Sequence, residues 1–558
     1  MRLKIIIILS FFLYQTISYS KDTEKNEFNH KYLSSYFSAL LSYDNQNNKE
    51  ALKFFDSSKF LIKKHDSFLK EYVFSLVIDG QVKKAIKQIK LHKNTNNSNF
   101  FEAHLLLALD SMDKKKYNQA SRRLEKLKLF EDIGTYQFIY QTIESYNSLF
   151  LNKKIKKIDK SFGSLDLITD AFQKCYLESN KNSSYFLNII NSAKGDYSRY
   201  LFFYLGSLSK NKDYDVANEI TKTIDPIKGT LLISQAKKWV EDKKFKKFSD
   251  YFSCKNEKDL LGEFFYLISN WYSSNDRFEE SNFYLNLSNY LNPKFYFNLS
   301  LLAENYYMNN NFELAKEILE KFNDKDVIYD WFKTKKIAQI LSEQKNDDVS
   351  LKYIEKKFKS IKKPSISIQY DLANIYKKFE KYKKAIKYYS IVLSNIDNNS
   401  ETYADVLYRR GGSFERIGQH DKSDEDLINS LKIRPDEPYT MNYLAYSWLE
   451  RNYKVDKAIE MLEVAYNKKK DDPYITDSVG WGYYITGDYD TAEKYLKKAV
   501  QLMPDDPIVN DHYGDVLWQL NRKLQAKYFW QNVLKFEDTD EKMKKDIELK
   551  LLNGPNKI

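Results

Sequence analysis

The chain has little of what breaks or bridges a fold. It holds 15 glycines and 9 prolines in 558 residues. So few breakers favour long helices joined by short turns and count against a turn-rich β fold. Cys175 and Cys254 are the two cysteines, too few for a disulfide framework. Six histidines stand apart at His30, His65, His92, His104, His420 and His512. None belongs to an HExxH pair or a Cys/His cluster, so no metal site is expected. GxSxG, a Walker loop and a strand-borne GxGxxG are all missing, and with them any expectation of a catalytic residue or a cofactor. No apolar run beyond residue 20 is long enough for a bilayer. No Lys/Arg block interleaved with aromatics marks a nucleic-acid surface.

Charge is present but uneven. The whole chain carries +12, whereas the part from Asp424 onward carries −5 and the part before it +17. Such an asymmetry steers an anionic partner to the N-terminal part. Lysines scattered over solvated helix faces give the same arithmetic.

The N-terminus reads as an export signal. Arg2 and Lys4 precede an apolar run from Ile5 to Tyr14, and Ser18-Tyr19-Ser20 offers small residues to a peptidase before Lys21. Cleavage after Ser20 and a periplasmic location are expected. The alternative is an uncleaved anchor, the one direct route to a membrane. No cysteine near the cut supports a lipid-bearing form.

What the sequence has is a small residue that returns every thirty-odd positions. Ala51, Ala85, Ala120, Ala217, Ala315, Ala385, Ala458, Ala492 and Ala526 form the series. A period of that size is the mark of stacked helical hairpins. The clearest unit runs from Pro473 to Pro504. Val479, Gly480 and Tyr483 lie on its first helix, Thr486-Gly487-Asp488 make its turn, and Ala492, Leu496 and Ala499 share one face of its second helix. Gly480 and Ala492 are expected to meet where the two helices cross. The next unit repeats the pattern with Tyr513, Gly514, Leu517, Ala526 and Trp530. The preceding one has Leu444, Ala445, Trp448, Ala458 and Leu462, with one extra residue in its turn. Arg410-Gly411-Gly412-Ser413, superficially a phosphate loop, falls inside a first helix where Gly411 should meet Ser423. A poor unit places Phe248 at a small position. On this register Cys175 and Cys254 lie about two units apart, beyond bridging distance, so two buried free thiols are expected.

These residues resemble the tetratricopeptide repeat (TPR) family, whose signature is an aromatic or leucine, then small, aromatic, alanine, bulky, alanine and proline. The resemblance implies an all-α, right-handed superhelical solenoid of about fifteen TPR-like helical hairpins. Residues 1–20 are then the signal peptide, 21–365 a divergent array, 366–536 a regular array, and 537–558 a C-terminal capping helix and tail, with Thr539 as its N-cap. The last hundred residues, through Asp477-Ser-Val-Gly-Trp481 and Asp511-His-Tyr-Gly-Asp515, look like exported bacterial TPR proteins.

In that family the first helices line the inner, concave wall. Projection from Gly480 and Gly514 places Asp477, Trp481, Tyr484, Asp511, Asp515 and Trp518 on it, with Asn442 and Tyr446 from the preceding unit. Aromatic planes beside carboxylates suit a peptide with a basic residue, or a sugar chain stacked on the rings. The alternative is that Trp481 and Trp518 only pack between repeats. Asp511-His512 has the look of an acid–base pair, but His512 is expected at the repeat surface. The resemblance implies a non-catalytic protein-interaction scaffold of a bacterial envelope, with a protein or peptide partner. An assembly factor for polysaccharide export or outer-membrane biogenesis is the variant reading. A cell-wall turnover enzyme built on a helical solenoid is the reading from another class, and no segment is left over for its catalytic domain.

Overall fold

The computed structural model describes residues 30–93, 96–130, 134–156, 162–177, 184–191, 198–322 and 326–555. The leader expected over residues 1–20 lies outside them. The described residues form thirty α-helices and no strand. They divide into two compact units: one ends at Thr221 and resumes over Leu231–Lys333, the other comprises Lys222–Thr230 and everything from Thr334.

Both units are stacks of helical hairpins, and the recurring alanine explains why. All nine alanines of the series are completely buried. Each is the fourth residue of the second helix of its hairpin, as in Asn48–Ser57, Tyr214–Thr223 and Tyr489–Leu502. A methyl group there lets the helix approach its partner across the turn. The turn has its own signature. Gln46, Gly80, Lys115, Lys212, Asn310, Glu380, Gly487 and Asn521 all take positive φ. Each precedes its alanine by five positions. The hairpin of Ala458 has one extra turn residue, and there Asn452 and Lys454 take positive φ instead. Most of these residues are not glycine, so tertiary packing must offset a left-handed penalty of about 1–2 kcal/mol apiece.

Serine replaces alanine in three hairpins, at Ser281, Ser350 and Ser423, each at most 1% exposed. Ser281 and Ser350 donate to the backbone carbonyls of Ser269 and Ala338 across the crossing, so their polar atoms are satisfied. Phe248 is the outlier. It lies five residues after left-handed Lys243, and its bulk is taken up by Gly206, whose Cβ position lies 3.5 Å from Phe248 Cβ.

The glycine contacts fall one turn beyond expectation. A Cβ on Gly480 would lie 2.6 Å from Leu496 Cγ and 3.1 Å from its backbone N, so Gly480 packs on Leu496 and not on Ala492. Gly411 likewise meets Leu427 and Asp426 rather than Ser423. Side chains lean toward the helix N-terminus, so the patch a residue covers lies over the turn before it.

The first unit is not a simple row. Phe74 packs against Phe283 with tilted rings whose centroids lie 4.6 Å apart. Asn286 donates to the Ile78 carbonyl at 3.0 Å, Lys49 pairs with Glu317 at 2.6 Å, and the Tyr43 hydroxyl bonds to Glu279. These contacts join segments more than two hundred residues apart, so the array of this unit closes on itself.

The same unit overturns the expectation of free thiols. Cys175 and Cys254 form a disulfide with Cα atoms 5.7 Å apart. Phe172, on the helix Ser164–Leu177, packs against Phe252 just before Cys254, and both share a cluster with Phe186, Phe203 and Phe295. Apolar burial of these rings pulls the two segments together across the intervening helices. A register that assumes an even stack separates them wrongly.

In the second unit five hairpins follow one another. Their first helices are Ile366–Lys378, Glu401–Glu415, Pro438–Glu450, Pro473–Ile485 and Pro507–Gln519. Asp472 and Asp506 cap the last two, each with proline at the first helical turn. Helix Glu541–Asn553 closes the end, with Ile547 fully buried in the terminal cluster. Its N-cap is Asp540, which accepts from the Met543 amide; Thr539 is instead buried and donates to the Val533 carbonyl at 2.6 Å.

Gly480→Leu should lower stability by about 1–3 kcal/mol or more, because the new side chain must displace Leu496 and its backbone. Lys497→Leu, at an exposed position of the same hairpin, should leave the thermal melt nearly unchanged. Equal melting of the two variants contradicts the packing at this crossing.

Candidate functional site

The expected wall residues gather on three adjoining first helices. Trp481 on Pro473–Ile485 ties the three together. Its indole N–H donates to Glu450 Oε1 at 2.9 Å on the preceding first helix, and its ring stacks on His512 of the following one at 4.0 Å. Tyr484, one turn on, stacks against Trp481 at 4.8 Å and is 2% exposed. Tyr446 approaches from the Pro438–Glu450 helix. Burial pushes its hydroxyl above the usual tyrosine range, and Glu450, to which it hydrogen-bonds, adds to the shift.

His512 is not a surface residue. It is 6% exposed, with Nδ1 at 2.9 Å from Asp477 Oδ2. The residues are 35 apart, one more than the 34 that separate the helix starts Pro473 and Pro507, so His512 meets the residue just before its own equivalent, Ser478, on the neighbouring first helix. Burial alone would lower the His512 pKa. The Asp477 carboxylate outweighs this, with Asp511 and Asp515 adding, so the net shift is upward. Its sequence neighbour Asp511 is not its hydrogen-bond partner. With Trp481 stacked on its ring, the imidazole links Pro473–Ile485 to Pro507–Gln519 rather than facing a substrate.

Asp511 and Asp515 are held from the C-terminal helix. Lys550 Nζ lies 2.7 Å from Asp511 Oδ1 and 2.8 Å from Asp515 Oδ2. Asp515 also accepts from the Trp530 indole at 3.2 Å. Burial raises the Asp515 pKa to about 6, and Asp511 reinforces it against the pull of Lys550. Burial lowers the Lys550 pKa, and the two carboxylates reverse that, so it ends raised.

The remaining expected residues are placed as follows. Trp518 lies 5.4 Å from Trp530, is covered by Gly554, and has the Lys523 ammonium 5.1 Å from its ring. Asn442 is half-buried, its Oδ1 enclosed without a hydrogen-bond partner among the described residues. The structure thus brings Tyr446, Asp477, Trp481, Tyr484, Asp511 and Asp515 together, while Trp518 sits at the terminal cap. Glu450, exposed and bonded to Trp481, belongs to the site and was not foreseen. Nor were Tyr439, Tyr474 and Ile508, about half exposed at equivalent positions of successive repeats. Each directly follows the proline that opens its helix, a signal visible in the sequence. No cluster of metal-ligating side chains occurs among the described residues.

This repeated hairpin is matched by the tetratricopeptide repeat family model over residues 366–394 and 480–506. Over these two stretches the chain carries tetratricopeptide repeats. It is 32% identical over 110 residues to the TPR repeat-containing protein PA4667 of Pseudomonas aeruginosa, a stretch covering 20% of this chain and 18% of that protein. It is 28% identical over 115 residues to the Protein O-mannosyl-transferase TMTC1 of Homo sapiens, covering 20% of this chain and 13% of that protein. The chain therefore spans less than a fifth of either relative's length. Among solved structures, TTC0263, a thermophilic TPR protein in Thermus thermophilus, is 17% identical with a TM-score of 0.30, covering 34% of this chain and 100% of its own. MamA from Desulfovibrio magneticus RS-1 is 16% identical with a TM-score of 0.28, covering 32% and 97%.

A raised histidine pKa contributes stability that is full below the unfolded value of about 6.5 and is lost as pH rises through the folded value. The melting-temperature gap between parent and His512→Gln should therefore be wider at about pH 6 than at about pH 9. Melts at the two pH values check this; a gap that widens with pH has the wrong sign.

Proposed function

We propose that this protein is a non-catalytic interaction scaffold of a bacterial cell envelope, holding a partner segment against the wall around Trp481. TPR arrays generally serve protein–protein interaction, and the observation that carries the finer reading is the Trp481 contact set. A partly exposed indole spans three first helices, with the exposed carboxylate of Glu450 at its N–H. That pairing suits an extended peptide that lays an apolar or basic side chain beside the ring. Asp477, Asp511 and Asp515 serve a different purpose. His512 and Lys550 neutralise them, so they brace the wall from behind. His512, the imidazole paired with these carboxylates, is buried beneath Trp481, which favours binding over acid–base chemistry.

The envelope setting rests on two supports. The first is the charged, apolar and small-residue pattern of residues 1–21. The second is the Cys175–Cys254 disulfide, a bond that persists mainly in oxidising compartments. Protein recovered from an envelope fraction should begin at Lys21 and show no titratable thiol until reduced. An intact Met1 in the membrane pellet favours an anchor, and free thiols in the native protein remove the second support.

For the wall, Trp481→Ala should weaken binding of the partner recovered from envelope extract by about 2 kcal/mol, the size of an aromatic hot spot. Trp481→Ala with Trp518→Ala should weaken it no less. Glu450→Gln, an exposed change, should weaken a basic ligand and flatten its salt dependence. A neutral glycan would respond to the Trp changes alone. Titration calorimetry with circular dichroism of each variant decides: folded variants that bind like the parent place the site elsewhere.

A further inference from the structure

Away from the Trp481 wall, the first unit holds a cleft of about 580 Å³ in which seven of the eleven lining residues are cations. It opens between the helices Val82–Leu91, Phe101–Asp113 and Tyr117–Leu124. Asp110 is its single carboxylate, and Lys90 and Lys114 both bond to it, at 2.6 and 2.8 Å. Five further cations line the same space: Lys93, Lys116, Arg122, Arg123 and Lys126. None of the five forms an ion pair among the described residues. A concave surface with one internal counter-charge for seven cations concentrates positive potential.

Two other features share this polarity. Helix Tyr117–Leu124 begins at Lys116, which lines the cleft, and it has neither an acidic residue in its first turn nor a side-chain cap. Its N-terminal amides therefore add a partial positive charge. His104 lies buried behind the same wall, its pKa driven down to about 4 by burial and then by Lys126 and Arg123. Burial is the main reason a proton is disfavoured there, and the positive charges of Lys126 and Arg123 add to it.

We infer that this cleft is a binding site for a compact phosphate-bearing anion. Charge and size together select that class. Five unpaired cations call for about five negative charges, which about three phosphate groups supply at roughly −1.5 to −2 each. Five consecutive acidic residues of an extended peptide would span about 17 Å. The cleft has the volume of a cube only about 8 Å on edge. Phosphate oxygens also match the forked donors of Arg122 and Arg123, whereas the lysines act as point charges. The phosphate groups are those of a free metabolite or of a lipid headgroup; the contacts are the same.

The test is titration calorimetry of the full mature chain with sodium tripolyphosphate. Arg122→Gln/Arg123→Gln/Lys126→Gln should weaken binding by at least about tenfold. Lys83→Gln/Lys87→Gln/Lys128→Gln removes the same charge from exposed positions of the same region outside the cleft, and should change affinity by less than about twofold. Lys93→Gln/Lys116→Gln, two exposed positions within the cleft, gives an independent reading if the first triple variant melts early. A pentaglutamate peptide should bind more weakly than tripolyphosphate. Vesicles containing phosphatidic acid distinguish the two sources: co-sedimentation lost in the cleft variants assigns a headgroup, and its absence beside soluble binding assigns a free phosphate compound. The inference is overturned if tripolyphosphate does not bind, if both triple variants weaken it equally, or if pentaglutamate binds as well.

Discussion

The contact on which the rest depends is a methyl group pressed into a neighbouring helix. Nine alanines at the fourth position of a second helix are sealed completely. Each fixes how closely its hairpin closes. That closeness then determines which side chains reach the next repeat. A left-handed residue five positions earlier sets the chain direction, so turn and crossing act as one device. Where the device is altered, a partner residue changes too. Ser281 and Ser350 at the crossing each find a carbonyl to bond, and Phe248 finds Gly206. Any larger residue without such a partner would separate the helices and loosen both neighbours, since an array draws its stability from nearest-neighbour interfaces.

The pattern of alanines, glycines and helix-starting prolines made the hairpins of the second unit readable, because there the period is even. Gly480 and Gly514 were correctly marked as close approaches. Their partners, Leu496 and Trp530, were missed by one turn because a side chain covers the turn before its own. His512 was misplaced for a related reason. Stacking brings positions one residue out of register on successive first helices together, and a histidine read alone gives no hint of an aspartate 35 residues earlier. The disulfide and the contacts between Phe74 and Phe283 had no local signal at all. They arise from burial of a large aromatic population that can pack in many ways, and periodicity carries no information about which.

The carboxylates of the wall show how one residue type serves two ends. Asp477, Asp511 and Asp515 look like a ligand's counter-charges when projected from sequence. In the structure they are occupied by His512 and Lys550, one from the neighbouring repeat and one from the terminal helix. Truncating one member of such a buried pair costs far more than the pair contributes, because an isolated charge remains. The C-terminal helix is therefore more than a lid over apolar surface. Its lysine pairs with both Asp511 and Asp515 and holds down the raised pKa of the buried Asp515.

The closure of the first unit bears on how the molecule comes apart. An open row of hairpins has two ends, and terminal repeats can peel away while the middle persists. A unit whose first helices grip its last ones has no such end. Opening one of the gripping segments breaks contacts from both of its chain neighbours and from a partner two hundred residues away. Loss of structure there should be concerted, and hydrogen exchange of its interior amides should share one high barrier instead of rising gradually from the rim. The same topology delays formation, since long loops must close before their contacts reward them. The two units should thus differ in character: one should fray, the other hold until it fails as a whole.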